Sequence, residues 1–156
     1  MRYLMILLVS TVLPAQLPAQ VSAEADLDLA ADCAVAEGSP GPMVCAVQAM
    51  SACSADAGEV PAIATLCFRN AQTAFGEAIS ELMDQVTDGM PEELAAVAGI
   101  EIKYDLLGGL MQCDRMTELA MVGDAPAADV QLNAEACNAT ATGATYLRLL
   151  MRAQNL

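Results

Sequence analysis

The chain has 156 residues, with 20 Asp and Glu against 6 Lys and Arg, no His, no Trp and a formal net charge of −14. That charge repels nucleic-acid phosphates and anionic lipid headgroups, which excludes both as expected partners. The absence of histidine excludes Ser-His-Asp and Cys-His catalysis, a histidine general base and the usual mononuclear zinc or copper sites.

Residues 1–23 read as a cleaved secretory signal peptide. Arg2 supplies the positive start, Leu4 to Leu13 form a mainly apolar core of about ten residues, and Val21-Ser22-Ala23 carries the small residues that a signal peptidase requires. Cleavage after Ala19 fits the same pattern four residues earlier. The core is too short to span a bilayer, which takes about 20 apolar residues, so no membrane insertion is expected after cleavage. No cysteine lies near residue 20, so lipid anchoring is not indicated. Loss of Arg2 leaves 20 acidic against 5 basic groups, a net charge of −15, over residues 24–156. A chain of that length reads as a single helical domain that buries about two-thirds of its unfolded surface.

The composition is rich in Ala, Leu, Met and Glu, with 3% aromatic residues and few β-branched runs, which favours helices over sheet. A first helix is predicted over Glu24 to Glu37, ended by Gly38-Ser39-Pro40-Gly41-Pro42. A second runs from Met43 to Ala55 and places Cys45, Ala49 and Cys53 on one face. After a break at Gly58, Pro61 suits the first turn of a longer third helix. Its apolar stripe comprises Ile63, Leu66, Cys67, Ala71, Ala74, Phe75, Ala78, Ile79, Leu82, Met83 and Val86.

Asp88-Gly89-Met90-Pro91 closes that helix, and Glu92 and Glu93 open the next where the helix dipole favours negative charge. The pattern then continues through Ile100, Ile102, Leu106, Leu107, Leu110, Met111 and Cys113 to Met121. Gly99 and Gly108-Gly109 suggest one interrupted helix or two. After Gly123-Asp124-Ala125-Pro126, Val130, Cys137, Ala144 and Met151 recur every seven residues along a final helix of about 25 residues. The expected fold class is an all-α, disulfide-stapled bundle of four to six helices.

All six cysteines, Cys33, Cys45, Cys53, Cys67, Cys113 and Cys137, lie beyond the signal, with gaps of 12, 8, 14, 46 and 24 positions. An even count in an exported domain points to a disulfide framework, and the absence of Cys-x-x-Cys removes the thioredoxin and zinc-ribbon readings. Spacing cannot choose among fifteen pairings; pairing of the first four among themselves, and of Cys113 with Cys137, is preferred because it ties the last two helices together.

No residue stands out as catalytic, cofactor-binding or metal-ligating. The carboxylate neighbours Glu92 and Glu93, or Asp124 and Asp129, have the chemistry of a glycosidase pair, but a chain with 20 carboxylates offers such neighbours by chance. Methionines 43, 50, 83, 90, 111, 116, 121 and 151 lack Met-x-x-Met clustering and read as packing residues instead of copper ligands. Lys103, Tyr104 and Asp105 interrupt the apolar fourth segment, while Arg115, Arg148 and Arg152 read as partners for carboxylates. Asn138-Ala139-Thr140 matches a glycosylation acceptor but falls inside a predicted helix.

Four runs carry a family likeness: Cys67-Phe68-Arg69-Asn70-Ala71-Gln72; Ala78-Ile79-Ser80-Glu81-Leu82-Met83; Leu110-Met111-Gln112-Cys113-Asp114-Arg115; and Cys137 followed by Tyr146-Leu147-Arg148-Leu149-Leu150. In layout, residues 60–152 resemble the small exported helical domains of the LprI-type lysozyme-inhibitor family. The resemblance implies a noncatalytic role in binding lysozyme, a cationic protein, in the cell envelope. The expectation is therefore a periplasmic or secreted binding protein, not an enzyme, without a cofactor. The alternative is a structural or interaction module of the envelope with no enzyme target. Partner identity and oligomeric state are not legible in the sequence.

Overall fold

A computed structural model describes residues 25–55 and 60–154. The expected signal segment, the cleavage site and the break at Gly58 lie outside the described residues. Within them the chain forms six helices: α1 Leu27–Val35, α2 Pro42–Ala49, α3 Ser51–Ala55, α4 Pro61–Thr87, α5 Glu92–Val122 and α6 Ala127–Ala153. No strand occurs among the described residues, so the fold is all-α and disulfide-stapled.

Local chemistry sets the helix starts. The Asp26 carboxylate accepts the Leu29 backbone N–H at 2.9 Å and caps α1, while Pro42 and Pro61 occupy the first turns of α2 and α4, where a missing N–H costs nothing. The single helix predicted from Met43 to Ala55 is instead two: Met50 leaves helical geometry between α2 and α3, and its side chain is fully buried. Gly89 takes φ +75° in the turn after α4, a conformation that favours glycine.

Neither Gly99 nor Gly108-Gly109 interrupts α5, which runs unbroken for 31 residues. Each glycine costs about 1 kcal/mol of helix propensity relative to Ala. Tertiary attachment offsets this cost: Ile102 packs with Ile79 and Leu149, and Cys113 is bonded to Cys137 on α6. Gly109 also permits close approach, since a Cβ there would lie 3.0 Å from the Ala141 Cβ.

α6 is the central element, flanked by α4, α5 and α2, and residues 141–145 are buried in succession around its circumference. Ala139, Ala141, Thr142, Gly143, Ala144 and Thr145 are small enough to let three helices approach one axis. Phe75 of α4, Met50 and Leu147 of α6 fill the core between them. The α4 seam begins one step later than predicted: Ala64, Cys67 and Phe68 are buried, while Ile63 and Leu66 face outward.

The disulfides join Cys33 to Cys45, Cys53 to Cys67 and Cys113 to Cys137. They tie α1 to α2, α3 to α4 and α5 to α6. Loops of this size restrict the unfolded chain by about 3 kcal/mol per bridge in the chain-entropy account.

Candidate binding surface

The solvent face of α4 carries Glu77, Glu81, Asp84 and Asp88, with i, i+4, i+7, i+11 spacing that stacks four exposed carboxylates in one row. The row is about 16 Å long at the helical rise. Glu92 and Glu93 open α5 after the turn, and none of these carboxylates is in an ion pair with a described residue. The row is built against local stability: like charges three and four residues apart each cost about 0.2 to 0.5 kcal/mol, and Asp84 and Asp88 stand at the end of α4 that the helix dipole makes negative.

α1 and α4 both pack on α6, where the Tyr146 ring lies 6.1 Å from that of Phe75 with the planes tilted by 35°. Burial pushes the Tyr146 hydroxyl above its ordinary pKa, and the charges of Asp28 and Glu81 push it further the same way. Asp28 therefore belongs to the same negative field as Glu81.

The positive groups are mostly occupied. Arg69 pairs with Glu135 at 2.7 Å, Arg148 with Asp105 at 2.7 Å and Arg152 with Glu101 at 3.4 Å. The Arg148–Asp105 pair joins α6 to α5, and Arg148 also donates to the Thr145 hydroxyl one turn earlier in α6 at 3.1 Å. Arg115, expected to pair in the same way, makes no ion pair with a described residue, and neither does Lys103.

The remaining candidates are scattered. Glu92, Glu93, Asp124 and Asp129 are all exposed. No group of three His, Cys, Asp or Glu among the described residues has the geometry to hold a metal ion. Met50 is a core residue as expected, but Met43, Met111, Met116 and Met121 face outward, which corrects their reading as packing residues. Asn138 lies within α6 with its side-chain oxygen buried and without a hydrogen-bond partner among the described residues.

Shallow apolar grooves flank α5. One of about 420 Å³ is lined by Met43, Met116, Ala144 and the Cys113–Cys137 bridge, and one of about 280 Å³ by Val86, Leu94, Val97 and Leu149. Their titratable side chains, Arg148 in the first and Glu101 and Arg152 in the second, are held in the ion pairs described above. No described helix is long and apolar enough to cross a membrane. No family model, no curated protein and no solved structure matches this chain.

Proposed function

We propose that this chain is an exported, noncatalytic binding protein that takes a cationic protein on the acidic ridge of α4, with lysozyme as the specific candidate. The observation that carries the reading is the unneutralised row Glu77, Glu81, Asp84 and Asp88 continuing into Glu92 and Glu93. A rigid helix whose outer face and C-terminal end present four carboxylates to solvent, followed by two more at the start of α5, steers a positively charged partner and raises its association rate. Three disulfides on a small helical frame support a periplasmic or secreted location. The resemblance to LprI-type inhibitors points to the same partner.

A second reading, an envelope interaction module with no enzyme target, is favoured by the exposed apolar face of α5. Calorimetric titration of the oxidised protein with lysozyme, at low salt and at about 0.15 M, distinguishes the two. Saturable binding that persists at the higher salt supports the inhibitor-like reading. Heat that vanishes with screening leaves only nonspecific attraction and rejects it.

A further inference from the structure

Helix α5 is apolar on two opposite faces. Ile102 and Cys113 are buried on the side that meets α6. On the far side Val97, Ile100, Tyr104, Leu107 and Met111 follow the alternating three- and four-residue spacing of a coiled-coil seam, each between 40% and 69% exposed. A helix with apolar residues around its circumference ordinarily has partners on both sides, whereas among the described residues α5 packs against α6 and, through Ile102, against α4 on its buried side alone.

We propose that this face is the seam of an antiparallel homodimer, in which α5 of a second copy crosses it about a two-fold axis near Gly108. The flanks of this face are complementary to their own reversal. On one flank Glu101 stands seven residues before Gly108 and Arg115 seven residues after it, so reversal brings Glu101 toward Arg115 of the second copy, twice by symmetry. On the other flank Lys103 and Asp114 stand five before and six after, giving the same opposite-charge match. Leu94 and Val122, fourteen residues to either side, place an exposed apolar pair at each end.

Gly108 is exposed and a Cβ there would meet nothing within 4 Å, so two backbones can approach closely at the crossing. Leu94, Val122 and the five seam residues offer on the order of 700 Å² per copy, close to the roughly 800 Å² per partner of a standard interface. Charge distribution favours a second copy as the occupant. From Leu94 to Val122 the charged residues are Glu101, Lys103, Asp105, Asp114, Arg115 and Glu118, a net of −2 in a chain of net −14, so two strongly acidic chains meet through a stretch that carries little of their charge. The free cations Arg115 and Lys103 flank that same face. The dimer does not depend on the function proposed for the acidic row, whose Glu77, Glu81, Asp84 and Asp88 lie along α4 and at its end.

Sedimentation velocity on the oxidised chain over about 1 to 100 μM tests the proposal. The expected result is a monomer–dimer equilibrium that Glu101→Arg and Arg115→Glu each weaken about tenfold, since each turns two attractive contacts into repulsive ones. An equimolar mixture of the two variants should form a heterodimer, because both crossings then join opposite charges, and the double variant should recover wild-type association. Arg152→Ala, which removes only the in-chain contact to Glu101, should leave the dimer intact. A wild-type chain that stays monomeric, or variants whose mixture associates no better than either alone, overturns the proposal. Monomeric protein that instead binds lipid vesicles through α5 overturns it too.

Discussion

Replacing Gly143 with Ala adds one methyl group at the point where α2, α4 and α6 converge. A Cβ at this position would lie 2.8 Å from Phe75 Cε2, 3.0 Å from Phe75 Cδ2 and 2.9 Å from the Ala46 Cβ. Phe75 and Ala46 are both fully buried, so neither neighbour has open space into which to move. Overpacking of this kind costs about 1 to 3 kcal/mol, against a gain of about 1 kcal/mol from replacing a helical glycine. The net expectation is a destabilisation of about 1 kcal/mol. Gly99→Ala, in α5 with nothing within 4 Å of its Cβ, serves as the control and should stabilise by about 0.5 to 1 kcal/mol. Urea denaturation of the oxidised proteins, followed by far-UV circular dichroism, measures both. Phe75→Leu should cost less in the Gly143→Ala background than alone, because the smaller side chain relieves the crowding. A Gly143→Ala protein as stable as the Gly99→Ala control would refute the claim that α6 is held at contact distance on two sides.

Three further outcomes follow from the same geometry. Removing the bridge between α5 and α6 by Cys113→Ala with Cys137→Ala should cost about 3 kcal/mol, and about 0.5 kcal/mol more than Cys33→Ala with Cys45→Ala, because the closed loop is twice as long; thermal unfolding checks the order. Tyr146 keeps its proton to higher pH in the folded chain than in the unfolded one, so its contribution is complete below the unfolded value of 10.0 and is lost as pH rises through the raised folded value. The urea midpoint should therefore fall as pH rises above about 10, and Tyr146→Phe should flatten that fall, as pH-dependent denaturation would show. Glu81→Gln should stabilise the chain by about 0.2 to 1 kcal/mol by relieving repulsion along the α4 row, while reducing affinity for a cationic partner.

Much of the architecture is written locally. Pro61, the Gly89 turn, the Pro-bounded break after Gly123 and the apolar periodicity of α4 and α6 each place a boundary by short-range chemistry. The departures occur where tertiary packing outweighs local preference. Met50 breaks its helix to enter the core, and α5 stays continuous through three glycines because α6 and the Cys113–Cys137 bridge hold it. The apolar residues of α5 read as one pattern in sequence, whereas in space Ile102 and Cys113 face α6 while Ile100, Leu107 and Met111 face solvent. Two interleaved sets, each with three- and four-residue spacing, were the available signal for that second face. The acidic ridge was hidden for a different reason. Twenty carboxylates give many chance neighbours, and only the buried position of Phe75 and Ile79 fixes which side of α4 turns outward.

The central claim is that the α4 row binds a cationic protein in a way that bulk charge does not. The most direct test compares two variants with equal net charge in lysozyme titration at about 0.15 M salt, with residual lytic activity measured on the same samples. One carries Glu77→Gln, Glu81→Gln, Asp84→Asn and Asp88→Asn; the other neutralises Asp32, Glu37, Asp124 and Asp129, which lie outside the row. The account predicts that the first variant loses binding and releases lytic activity while the second keeps both near the wild-type values. Equal losses in the two, or no wild-type binding at that salt, would contradict it.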